Sequence, residues 1–159
     1  MLISVHLLLV IAFNIFTPIF AFVLPTPRAF QQFPLSIAPR ADFEFEFEMP
    51  MKGITEYGTA QVKIPPTLES SKIVVVRYSL PFGLDAAPSN GKVVVTKDGK
   101  NGELVGDILR QTTCWRGKNP GLFDVSKNAD NFNAVVGALT SNDLSVTDEI
   151  VLVFERPLP

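Results

Sequence analysis

Few side chains in this 159-residue chain could do chemistry. There is one histidine, His6, and one cysteine, Cys114. His6 lies in an apolar leader expected to be removed, which leaves the mature chain without an imidazole for a Ser-His pair or a zinc site. Cys114 has no second cysteine to pair with. Only Arg116 stands near enough in sequence to lower its pKa, so it reads as a small buried filler rather than a redox thiol. Asp107 follows Gly106 in a turn. A catalytic role would need a histidine partner that the sequence lacks, whereas turn aspartates commonly cap local N–H groups. Asp98-Gly99-Lys100-Asn101-Gly102 is polar and Gly-rich but lacks the Gly-Lys-Ser/Thr ending of a phosphate-binding loop. No catalytic residue, no metal ligand and no cofactor is therefore expected, and the chain reads as a non-enzyme. The formal net charge of −2 leaves no basic footprint for nucleic acid.

The N-terminus reads as an address. Leu2 to Leu24 is almost wholly apolar, and Leu7-Leu8-Leu9-Val10-Ile11-Ala12-Phe13 has the length of a signal-peptide core. Asn14, Thr17 and Pro18 then interrupt it. An uncleaved anchor is the alternative, since the span nears the ~20 residues a membrane helix needs. Residues 1–21 are expected to be the signal peptide, with cleavage after Ala21 leaving Phe22 first. Residues 22–40 carry Arg28 and Arg40 and no acid; the first carboxylate is Asp42. A signal peptide followed by Phe22 and an acid-free, Pro- and Phe-containing stretch resembles the bipartite plastid presequence of diatoms and related algae. That resemblance implies the plastid stroma or the stromal face of the thylakoid; an ordinary secreted protein is the alternative.

Asp42-Phe43-Glu44-Phe45-Glu46-Phe47-Glu48 alternates strictly. A strand puts Phe43, Phe45 and Phe47 on one face and the carboxylates on the other. Three rings on one face must pack on the domain or on a partner, which makes them a candidate second contact. The carboxylates act as gatekeepers against self-association. Weak strand character returns at Ala60 to Ile64, and Pro65-Pro66 ends it. Residues 41–70 thus read as an acidic, aromatic strand and a Pro linker.

Residues 71–159 read as the globular domain. Ile73-Val74-Val75-Val76-Arg77-Tyr78 is a β-branched, buried strand. Leu80-Pro81-Phe82-Gly83-Leu84 interrupts the pattern, and Pro88 shortens the next strand. Ser89-Asn90-Gly91 turns into Lys92 to Lys97. Leu104-Val105-Gly106-Asp107-Ile108-Leu109-Arg110 is a turn and a strand, with Gly106 free to take positive φ. Gln111 to Asn128 reads as a long insertion holding Trp115, expected in the core or at its edge. Asp130 is a candidate N-cap. Phe132, Val135, Val136 and Leu139 then fall on one face of a helix, and Ile150 to Arg156 is a last strand.

In that order these pieces resemble a PDZ domain. The resemblance rests on Pro81-Phe82-Gly83-Leu84 at the carboxylate-binding loop, on the Leu104 to Arg110 turn and strand, and on a helix before the last strand. It covers about 85 residues, roughly half the chain. It implies an α+β fold, a small partly open β-barrel or sandwich of five or six strands with one main groove helix. It implies peptide or partner binding by Phe82, Gly83, Leu84, Phe132, Val136 and Leu139, with backbone N–H groups of the loop aimed at a carboxylate. Pro81 departs from the glycine usual in that loop and supplies no N–H. Together with the presequence, this implies a protein-binding module similar to those of thylakoid photosystem-assembly proteins. Its partner would be a protein, with a photosystem complex the leading choice, and any membrane association would be peripheral, through that partner. From residue 42 onward, 12 basic residues face 16 acidic ones, an acidic balance suited to a basic partner face.

Overall fold

A computed structural model describes residues 40–52 and 58–159. The leader, nearly all of the presequence and the break at Gly53 fall outside the described residues. Eight strands and one α-helix follow in the order β1 (Phe43–Glu48), β2 (Thr59–Ile64), β3 (Ser71–Ser79), β4 (Ala86–Ser89), β5 (Lys92–Val95), β6 (Ile108–Arg116), β7 (Asn119–Asp124), α1 (Phe132–Thr140) and β8 (Glu149–Pro157). They form two antiparallel sheets. β1 and β2 are a separate hairpin, and the other six make one sheet in the order β3-β8-β6-β5-β4, with β7 beside β6.

This corrects the expected fold class. Among the described residues the protein is mainly β, with two sheets, one α-helix and a short 3-10 turn at Ser126–Asn128, and its large sheet is open rather than closed into a barrel. Two segments account for the difference. Gln111 to Asn128 is not an insertion: β6 runs on to Arg116 and β7 pairs back along it from Asn119 to Asp124. Val62 and Ile64 make a full partner strand for β1, so the acidic, aromatic segment is not a lone strand.

β8 explains the layering. Ile150, Leu152 and Phe154 point to one face of the sheet, where they meet Val76, Val93, Leu109 and Val135 of α1. Val151 and Val153 point to the other face, where they meet Phe47, Met49, Val62 and Ile64 of the hairpin. A strand apolar on both faces needs cover on both, and the helix and hairpin supply it. The described residues accordingly fall in one compact unit.

The end of β8 carries a charge into this interior. Glu155 is completely buried. Its carboxylate accepts hydrogen bonds from Thr67 N–H and Leu68 N–H, both at 3.0 Å, from the Thr67 hydroxyl at 2.7 Å and from the Ser71 hydroxyl at 2.6 Å. Arg110 of β6, equally buried, forms an ion pair with it. The same guanidinium donates to the Pro65 carbonyl at 2.9 Å and to the Ser126 hydroxyl at 2.6 Å. The segment joining hairpin to sheet is thus held by β8 and β6 together. Burial pushes Glu155 upward in pKa, but hydrogen bonds from Ser71, Thr67 and Leu68 outweigh it and hold the carboxyl below its ordinary range.

A second pair, Asp107 with Arg156, is bidentate at 2.8 and 2.7 Å, and Asp107 also accepts from Leu104 N–H. Its role is to close the β5–β6 loop, where Gly106 has φ +92°. α1 is capped by Asn131, one residue beyond the expected Asp130, through its side chain and Ala134 N–H.

Two outcomes follow for Glu155. Glu155→Ala leaves Arg110 buried without a counter-charge and should cost about 3–5 kcal/mol in urea unfolding. Because the folded pKa is lowered, the stability from Glu155 is complete above the ordinary carboxylate value of about 4.3 and declines as pH falls from there through the folded value. The acid limb of a stability–pH curve should be shallower in Glu155→Gln than in the natural sequence.

Candidate binding site

The open edge of β4 and the loop that feeds it form the candidate site. β4 ends the sheet, so one of its edges has no strand neighbour among the described residues. Hydrogen bonding fixes which groups face outward. Thr96 N–H donates to Asp85 C=O at 2.8 Å, so Asp85 bonds toward β5. Val95, which stands opposite Ala86, uses its own N–H and C=O on Asp107 and Gly106. Antiparallel pairs alternate in this respect, so Ala87 and Ser89 also bond toward β5 while Ala86 and Pro88 turn their backbone groups to the free edge. Pro88 was expected to cut this strand short. It lies within β4, opposite Val93, because the N–H it lacks would have faced outward. Asn90 and Gly91, at φ 49° and 68°, close the β4–β5 hairpin as a two-residue turn that tolerates both positive values.

The loop ahead of β4 begins with a cis Leu80–Pro81 peptide. The N–H groups of Phe82, Gly83 and Leu84 have no acceptor among the described residues. Beside this loop is a cavity of about 490 Å³ lined in part by Phe82, Gly83, Lys97 and Lys100. Lys97 lies 3.9 Å from Asp85, with both side chains largely exposed. Tyr78 at its wall donates a hydrogen bond to the buried Glu103. Burial, then the Glu103 contact, raises the Tyr78 pKa, so the phenol stays protonated at neutral pH.

The sequence-derived residues distribute as follows. Phe82 and Leu84 are partly buried and lean on the same core cluster as Phe132 and Leu139 of α1. Gly83 is exposed, with nothing near the position a Cβ would take. Val136 is 41% exposed. The helix buries Val135 and Ala138, and Val136 alone of the expected stripe stands away from the core. Phe47 is buried between the hairpin and the large sheet, while Phe43 and Phe45 are half-buried and pack on the same cluster. Ala86 and Pro88 were missed as edge residues; only the pairing register shows which way their backbone faces.

Cys114 is buried, and that burial raises its thiol pKa against the opposing pull of Arg116. Trp115 is half-buried, and its backbone N–H donates to the Ser141 hydroxyl at the end of α1. Among the described residues, no group of three His, Cys, Asp or Glu is placed to hold a metal ion, and no helix is long and apolar enough to cross a membrane. Comparison with protein-family models, curated proteins and solved structures finds no match.

Neighbouring helix positions should separate core from rim. Val135→Ala removes a buried side chain and should cost about 2 kcal/mol. Val136→Ser should stay within about 0.5 kcal/mol. Thermal unfolding of the two variants checks this assignment.

Proposed function

We propose that this chain is a non-catalytic protein-binding module of the plastid, a subunit or assembly factor of a thylakoid photosystem complex. The observation that carries the reading is the continuity of the β4 edge with a loop of three free N–H groups. An extended partner segment adds to Ala86 as a further strand, through main-chain hydrogen bonds. Its terminal carboxylate lies at the N–H groups of Phe82, Gly83 and Leu84, a nest suited to an anion. Val136, Phe132 and Leu139 offer apolar contact for the side chains on the inner face of that segment. The edge is only four residues long and includes Pro88, so the segment it takes is short.

The compartment rests on the presequence, and the choice of a photosystem rests on the resemblance of the chain to thylakoid modules. The acidic balance after residue 42 fits a basic face on the partner.

Native-gel separation of gently solubilised plastid membranes tests the proposal. The chain should co-migrate with a photosystem band. Ala86→Pro removes one outward N–H and copies a feature the strand already carries at Pro88. It should abolish co-migration while leaving the chain folded by circular dichroism. A chain absent from plastids, or one that migrates alone, would overturn the reading.

A further inference from the structure

Among the described residues the hairpin also has an unpaired edge, along β1. Met49 N–H donates to Gly58 C=O at 2.8 Å, and the register continues from that pair into β1 and β2. Phe43, Phe45 and Phe47 therefore bond toward β2, and Glu44, Glu46 and Glu48 turn their backbone groups outward. The Glu48 carbonyl is already used: it accepts from the Arg77 guanidinium of β3. At the other end, Arg40 donates to the carbonyls of Leu68 and Ser71 and lies over the Phe43 ring at 5.3 Å. Between these two clamps, the backbone groups of Glu44 and Glu46 have no acceptor or donor among the described residues.

The side chains along this edge differ by face. Outward lie Glu44, Glu46 and Glu48. Lys63 of β2 pairs with Glu44 at 2.8 Å, and no cation lies within 4 Å of Glu46 or Glu48 among the described residues. Inward, Phe43 and Phe45 remain half-buried, and Val75 of β3 is 38% exposed.

We infer that the β1 edge is a second docking site, and that its occupant is an extended segment alternating basic and apolar residues. Such a segment pairs with Glu44 and Glu46 through main-chain hydrogen bonds. Its basic side chains stand beside the glutamates on the outer face, where opposite charges across paired strands are favourable. Its apolar side chains turn inward and cover Phe43, Phe45 and Val75. An acidic or all-apolar strand satisfies one face and not the other. The contact does not depend on the compartment or on the β4 site.

The test is calorimetric titration of the full chain with a short peptide in which lysine and valine alternate, acetylated and amidated so that it offers no terminal carboxylate. A peptide of the same composition, with its lysines and valines in separate blocks, is the control. The alternating peptide should bind about tenfold or more tightly than the block peptide. Combined Glu46→Lys and Glu48→Lys should weaken it about tenfold and admit a glutamate–valine peptide instead. Amide exchange at Glu44 and Glu46 should slow when the peptide binds, a readout that requires no variant to fold. Equal binding of the two peptides, an affinity unmoved by charge reversal, or slowing at Ala86 rather than at Glu44 and Glu46 would each overturn the inference.

Discussion

The buried carboxylate of Glu155 is the constraint on which the rest depends. β8 lies in the middle of the molecule, covered by α1 on one face and by the hairpin on the other. A charged group at its end must be fully satisfied, because a buried, unpartnered carboxylate is too costly to keep. The chain meets that demand by bringing Arg110 across from β6 and by wrapping Thr67 to Ser71 around the acid. Once that segment is fixed, the start of β3 and the exit from β2 are fixed with it. The hairpin can then lie only on the face where Val151 and Val153 await cover. One ion pair with its hydrogen bonds thus ties the segment between the two sheets to β8 and β6, with a core cluster on either face of the large sheet.

Among the described residues β4 and β1 each keep an outer edge with unused backbone groups, and the two edges differ in chemistry. The β4 edge continues from a loop whose N–H groups have no acceptor among the described residues. The β1 edge is lined by glutamates, with half-buried rings beneath. Natural sheets blunt exposed edges with prolines and charges. Pro88 and the Glu44–Glu48 series do that here, while leaving Ala86, Glu44 and Glu46 able to pair. An edge protected from its own kind yet open to a chosen partner suits a binding protein.

Several features were legible in the sequence because they follow from local rules. The alternation at Phe43 to Glu48 gives a strand with distinct faces, Asn90-Gly91 gives a hairpin turn, and the β-branched run from Ile73 gives a strand, although β3 ends the sheet with Val75 exposed and is not the buried strand expected. The helix was legible to within one residue at its cap, and of the expected stripe Phe132, Val135 and Leu139 reach the core while Val136 does not and Ala138 does. The fold class was misjudged where structure depends on distant pairing. Asn119 to Asp124 contains Pro120 and Gly121 and lacks strand propensity of its own, so only its pairing with β6 makes it a strand. The Glu155–Arg110 pair spans 45 positions, and no periodicity points to it. Phe82, Gly83 and Leu84 were legible as a loop by composition, whereas the outward-facing groups of Ala86 and Pro88 depend on register, which one sequence does not print.

Hydrogen exchange of single amides, read on the full chain alone and again in its native complex, tests the central claim that β4 is the edge a partner uses. In the free chain Ala86 should exchange fast and Ala87, bonded into the β5 ladder, slowly. In the complex Ala86 should become slow and Ala87 should not change. An Ala86 amide already protected in the free chain, or one that stays fast in the complex, would contradict it.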